Sequence, residues 1–478
     1  MRRSFWFHLC AGLFLAAGLL VYSQTDAFAF DEGFHLLAAQ LIRGGQRPYL
    51  DFLFAQTPLN AYWNAFWMGI FGDTWRVAHA VAALQTAAAA VLTADYILRR
   101  MPERRWAMPA AVFVACAVGF NVAVVQFGTI AQAYGLCLLL CVAAFRVTVP
   151  AVDRRSLWLP ALGGLLSVGA AASSLLCAPV APVLLIWILI VNAAGNRLAK
   201  AGAFLAGGLV ALIPLLRLFA QSPHQVVFDV FKYHALFRQV EWSGALQHDL
   251  STALGWIDCG QALLLTLLAA GGFLYVWHSD WDRRLRAELY LCVCLAAALT
   301  VHLFIARPTF PRYFLLTVPF MAIVAAVGLR ALSQRLSSPE RIWWTAGTAC
   351  LLMVIGLTRT VYDGRDDFAW RNFEKIAAKA QAVTPAGASL YADEALYFML
   401  RRTPPPGFEY DDSHKLKDLP PAEAALLHIV PSPERDRMVK EGAFHTAQSC
   451  DDDEMKKLEP LYANQWEHEG CGVYWDFK

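Results

Sequence analysis

Two adjacent carboxylates, Asp31 and Glu32, stand where a long apolar run ends, and a third, Asp51, follows in the same polar stretch. Paired acids at such a boundary have two readings. In one, Asp31 caps the helix after it, because aspartate there accepts backbone N–H groups and meets the positive end of the helix dipole. In the other, an ionised carboxylate orients and deprotonates a hydroxyl, the work of a general base. Capping accounts for Asp31 but leaves Glu32 and Asp51 unexplained. Late in the chain Arg307 and Arg312 bracket ARPTFPRY, a turn stiffened by two prolines. Their guanidinium forks suit phosphate oxygens; the plainer reading is interfacial arginines reaching for headgroups.

The elements that must position these groups follow from spacing. Phe34, Leu37, Ala38, Leu41 and Ile42 recur at helical intervals, and Gly44-Gly45 closes the pattern. This predicts a short amphipathic helix along a membrane surface. Pro58 opens a second one, LNAYWNAFWMGIFG, whose Trp, Tyr and Phe rings favour headgroup depth.

Of 478 residues 58% are hydrophobic and 16% charged, which is too apolar for a soluble two-domain chain. Mean hydropathy is +0.42. To residue 358 one apolar run follows another, each able to cross ~30 Å of hydrocarbon; beyond it Asp, Glu, Lys and Pro return. Eleven spans are expected, at 5–23, 75–98, 106–124, 126–145, 157–173, 175–192, 201–220, 256–277, 287–306, 313–333 and 342–358. Arg2, Arg3, Arg99, Arg100, Arg104, Arg105, Arg154, Arg155, Arg283, Arg284 and Arg286 then fall on one side, which the positive-inside rule makes cytoplasmic. The first loop (24–74), the loop 221–255, the turn at 307–312 and the tail lie outside. The first segment reads as a span; Ala27-Phe28-Ala29 leaves a cleaved signal peptide as the alternative. The expected domains are therefore a membrane bundle, 1–358, and an external α/β domain, 359–478. In that tail 366–382, 393–402 and 433–442 read as helices, and 389–392, 425–430 and 473–477 as strands. Cys450 and Cys471 lie in the tail, where an oxidising compartment would let them pair.

Compartment narrows the chemistry. Nucleotide sugars and ATP are cytoplasmic, so an external enzyme of group transfer needs a donor that the membrane carries across. A polyprenyl-phosphate sugar meets that need: its phosphate leaves readily, so the protein must supply a carboxylate for the acceptor hydroxyl and cations for the leaving group.

The runs FDEGFHLLAAQLIRGGQRPYLDF and TPLNAYWNAFWMGIFG resemble the first external loop of the GT-C superfamily of membrane glycosyltransferases. This group includes aminoarabinose transferases, protein O-mannosyltransferases and lipopolysaccharide-core transferases. The resemblance implies an all-α polytopic bundle with an external α/β domain and an inverting transfer from a polyprenyl-phosphate donor. It places the catalytic acid in the Asp31–Glu32 pair and matches the family's Tyr-x-Asp with Tyr49 and Asp51. PRYFLLTVPF, with Arg312 and Tyr313, is similar to the Arg-Tyr at the outer end of a late span. Where many relatives place a lysine before the second helix this chain has Thr57, so the cationic role passes to Arg312, Arg307 or Arg76.

The expected partners are a polyprenyl-phosphate-linked sugar, a lipid, glycan or protein acceptor, and membrane lipids, with no nucleic acid. No cofactor is assigned and no Cys/His spacing reads as a metal site, although some relatives use a divalent ion. In the loop 221–255, Lys232 or His234 would touch substrate if it is a cover over the donor; otherwise it is an interfacial segment. His79 reads as a satisfied interface histidine or a ligand. A transporter or flippase is the rival class, but such proteins keep ionisable groups near mid-membrane, whereas these charges gather at the outer rim. The expected place is the bacterial inner membrane, N-terminus inside.

Overall fold

Apolar periodicity becomes helix over most of the chain in the computed structural model, which describes residues 2–191, 195–236, 245–305, 309–334, 341–416 and 419–478. The protein is a multi-pass membrane protein of mostly helical structure with one small sheet. Its chain forms two compact units that do not follow chain order: 1–23, 80–213 and 242–365 make one, and 24–79, 214–241 and 366–478 the other. The first loop thus belongs with the tail.

In the first unit the core is alanine, leucine and valine from packed helices. Eight helices among the described residues are long and apolar enough to cross a membrane. Three shorter apolar helices, Arg105–Gly119, Trp158–Ser173 and Leu175–Ile190, lie where three more spans are expected. The expected spans 106–124 and 126–145 are in fact interrupted: one helix ends at Gly119, Asn121 caps the short helix Val122–Phe127, and the next begins at Tyr134. Backbone freed by such a break must be satisfied internally. Gln261 does this, donating to Phe120 O at 2.9 Å and accepting from Val122 N at 2.8 Å. Two glycines let helices Gly260–His278 and Val318–Gln334 cross closely, since a Cβ on Gly328 would strike the Leu268 carbonyl. Asp95 and Glu288 are paired, the first with Arg99 at 2.7 Å, the second with Arg100 at 2.5 Å and Tyr96 at 2.9 Å.

In the second unit the strands β1 (Leu390–Tyr391), β2 (Thr446–Ser449), β3 (Tyr462–His468) and β4 (Cys471–Phe477) form a sheet of order β1-β2-β4-β3, parallel only between β1 and β2. A Cys450–Cys471 disulfide ties the end of β2 to the start of β4. The strand expected at 425–430 does not form. Helix Pro421–Leu426 runs into it and His428 takes φ +56°, which breaks extended backbone, while Leu427 and Ile429 pack with Leu53, Ala55 and Phe228. The polar β2 and β3 take up the sheet instead.

Both first-loop helices form, as Gly33–Arg43 and Leu59–Phe71. They bury opposite kinds of face. Gly33–Arg43 buries His35, Leu36, Leu37, Ala38 and Leu41, so protein covers the side expected on lipid. Leu59–Phe71 turns Asn60, Asn64 and Met68 inward and leaves Phe66, Ile70 and Phe71 exposed, the inside-out pattern of a helix that meets lipid.

Candidate functional site

The site is built on a single 3-10 turn, Phe30–Glu32, that opens helix Gly33–Arg43. Glu32 N donates to Ala29 O at 3.0 Å, and Ala29 N donates back to Glu32 Oε1 at 3.3 Å. The two acids end in opposite environments. Asp31 is exposed, whereas Glu32 has no exposed surface. Trp370 Nε1–H donates to Glu32 Oε1 at 2.8 Å, and His79 Nε2 lies 2.7 Å from Oε2. The next residue is glycine for a steric reason: a Cβ on Gly33 would stand 2.8 Å from Ala395 N and 3.1 Å from its Cβ. Aromatic rings collar the turn, with Phe28 against Phe30 at 4.9 Å and Phe30 against Phe368 at 5.2 Å.

Tyr49 and Asp51 shape the next turn. Tyr49 is buried at φ +71°, and its hydroxyl donates to Gln56 O at 2.7 Å. Asp51 accepts from Arg47 N at 2.7 Å, Nε at 2.9 Å and Nη2 at 2.8 Å. That guanidinium holds the Asp51 carboxyl below the usual carboxylate range. The stretch behind is pinned by the π-helical turn Phe228–Lys232, a form that recurs at functional sites. Asp229 accepts from Phe54 N at 3.0 Å, and His234 Nε2 donates to Ala55 O at 2.8 Å. Burial pushes the Asp229 carboxyl well above its ordinary range, and pushes the His35 ring, stacked on Phe34 at 4.1 Å, down to about 3.

Cations divide by partner. Arg43 pairs with Asp73, Arg47 with Asp51, and Arg76 with Glu374 at 2.9 Å while lying over the Trp75 ring at 4.3 Å. Lys232 is exposed and has no ion-pair partner among the described residues. In the other unit Arg312 opens the turn Pro311–Thr317, its guanidinium 4.6 Å from the Phe310 ring; Tyr313 N donates to Phe310 O at 3.0 Å and the Tyr313 ring lies 6.4 Å from that of Tyr134. Arg307, with Arg238, Glu241 and Trp242, lies outside the described residues. Among the described residues no three His, Cys, Asp or Glu side chains gather as a metal site.

The structure brings together Glu32 and His79, which the sequence leaves as separate questions, and adds Trp370 and Asp229. A tryptophan at the head of an amphipathic tail helix carries no sequence signal for such a role, and Asp229 lies in a segment of mixed polarity. His79 had a signal in its place at the start of a span.

A helical membrane bundle, two helices in its first long loop and a small α/β tail define the class by fold: the chain has an ArnT-like GT-C fold. Among solved structures it is similar to ArnT, an aminoarabinose transferase, from Cupriavidus metallidurans in the apo state, with a TM-score of 0.69 and 16% identity over 99% of this chain and 98% of that one. The same enzyme bound to undecaprenyl phosphate gives 0.69 and 15% identity, over 98% and 97% of the two chains. The Archaeoglobus fulgidus oligosaccharyltransferase in complex with Zn and sulfate gives 0.54 and 15% identity, over 88% of this chain and 62% of that one. No family model matches the chain, and no curated protein matches it.

Proposed function

We propose that the protein transfers a sugar from a polyprenyl-phosphate donor to a lipid, glycan or protein acceptor at the outer face of the bacterial inner membrane, with inversion at the anomeric carbon. A fold hosts many functions, so the reading has to rest on the site. The observation that carries it is the exposed Asp31 carboxylate, held on a turn braced by the buried Glu32, in a fold that ArnT uses with undecaprenyl phosphate bound.

Asp31 takes the acceptor proton as general base, and the hydroxyl attacks the anomeric carbon as the carrier phosphate departs. That phosphate leaves as an anion and needs cations. Arg312, Arg307 and Arg76 are the sequence's candidates; of these Arg76 already has Glu374. Lys232 joins them, because the segment that carries it is hydrogen-bonded to the first loop at Phe54 and Ala55. Tyr49 and Asp51 act on substrate through the turn they build, and Tyr313 flanks the Arg312 guanidinium. No cofactor is assigned; chelation by EDTA reads whether a divalent ion shares the leaving-group charge with these cations.

Mass spectrometry of envelope glycolipids and glycoproteins tests the reading, comparing cells with the gene, without it, and with Asp31→Asn. Loss of one sugar in both deficient strains supports it. A change confined to a translocated solute would favour a transporter.

A further inference from the structure

The Glu32 carboxyl group is fully buried. Both its oxygens take N–H groups, Oε1 from Trp370 and Ala29 and Oε2 from His79, and neither it nor His79 has exposed surface. A general base must come within hydrogen-bond reach of the hydroxyl it deprotonates. Glu32 is instead closed over by protein hydrogen bonds.

These three partners come from three stretches of chain. Ala29 precedes the turn, His79 lies in helix Trp75–Arg100, and Trp370 heads helix Trp370–Val383 of the tail. Trp370 is itself held: it stacks on Trp75 at 5.3 Å and 10°, with the Phe28 ring 5.5 Å away. On the other side of the turn Ala395, also from the tail, leaves no room for a Cβ at Gly33.

We propose that Glu32 is a positioning residue and that, with His79 and Trp370, it forms a buried lock by which the tail fixes the turn presenting Asp31. The proposal rests on Asp31 being the base. It makes the tail part of the catalytic apparatus, in place of a separate module. The lock needs hydrogen bonds at Glu32 rather than a charge. Glutamine there keeps the acceptor for Trp370 and Ala29 and offers an N–H to His79 Nε2, which accepts once the ring changes tautomer.

Initial rates of the envelope sugar modification after induction give the test, with thermal stabilisation of the purified protein by undecaprenyl phosphate as control. Glu32→Gln should stay within about five-fold of wild type, the effect of one weakened hydrogen bond. Trp370→Phe, which keeps the ring and loses the donor, should slow transfer about ten-fold and leave the undecaprenyl phosphate shift unchanged. Asp31→Asn should be inactive. A folded Glu32→Gln as dead as Asp31→Asn would make Glu32 a chemical participant and overturn the proposal, as would wild-type rates in Trp370→Phe. An inactive wild type would sink the proposed function instead. The lock is then read by hydrogen exchange: amides of 30–33 should exchange faster in Trp370→Phe, and unchanged exchange there refutes it.

Discussion

Successive side chains on a 3-10 turn point about 120° apart, so Asp31 and Glu32 cannot share one environment. Burying one acid obliges the protein to hydrogen-bond it, and His79 with Trp370 meet that need for Glu32. Asp31→Asn keeps the size and loses the base, so transfer should fall at least a hundred-fold with expression and membrane insertion intact, as activity and blotting of the same membranes would show. Full activity in that variant removes the base assignment. A second residue tests how the tail handles buried acid. Burial raises the Glu409 carboxyl from 4.5 to about 7, even though it accepts from Gly407 N at 2.7 Å. A carboxyl whose folded pKa is raised favours the fold in its neutral form. Its contribution is therefore complete below the unfolded pKa and is lost as pH climbs from about 4.5 to about 7. Glu409→Gln keeps an acceptor oxygen and stays neutral. It should raise Tm at pH 8 and leave it unchanged at pH 4, and equal shifts at both values would reject the burial account.

The elements show what periodicity can and cannot say. Helical spacing and Gly44-Gly45 made the first-loop helices legible, and their bounds agree within a few residues. Periodicity does not name what covers an apolar face: for Gly33–Arg43 it is protein, with Ala395 of helix Glu394–Leu400 against Gly33. Nor does hydropathy register one capping asparagine, so Asn121 divides what reads as continuous span. The short β2, Thr-Ala-Gln-Ser, is polar yet wholly buried, and nothing in its pattern marks it as a strand. Of the candidate site, the acids were legible from type and place. Their separation into one exposed and one buried carboxyl was not, because a partner of the buried one, Trp370, is distant in sequence. The segment Phe228–His234 carries a prediction of its own. Two hydrogen bonds fix it to the first loop, and Lys232 on it has no acid partner among the described residues. Lys232→Ala should weaken undecaprenyl phosphate binding about ten-fold or more, the usual worth of one charge-assisted hydrogen bond, while Lys232→Arg keeps most of it. Titration of the thermal shift with undecaprenyl phosphate reads both, and unaltered affinity in Lys232→Ala returns the phosphate to Arg312.

For the whole molecule, hydrogen bonds inside one compact unit constrain the number of membrane crossings. Phe54 is bonded to Asp229, and Glu32 to Trp370, so residues 54, 229 and 370 lie on one face of the membrane. An even number of crossings must separate each of them from the next. Between 229 and 370 stand four long apolar helices, which satisfies this. Between 54 and 229 stand three, Trp75–Arg100, Tyr134–Ala151 and Arg197–Gln221, which does not. If every long helix crosses, an odd number of the short helices Arg105–Gly119, Trp158–Ser173 and Leu175–Ile190 crosses as well. If all three do, the arginines at 154 and 155 sit with the other basic connectors on the cytoplasmic side and the turn near 174–179 lies outside. A reporter enzyme that folds only in an oxidising compartment should then be inactive when fused after Arg155 and active when fused after Pro179. The Cys450–Cys471 disulfide should form in cells by the same placement. Inactivity at both fusions would leave Arg105–Gly119 as the single short crossing, and activity at the first with inactivity at the second would leave Trp158–Ser173. Activity at both would break the parity itself unless Leu175–Ile190 alone crosses, which would put the arginines at 154 and 155 outside, against the charge rule that orients the chain.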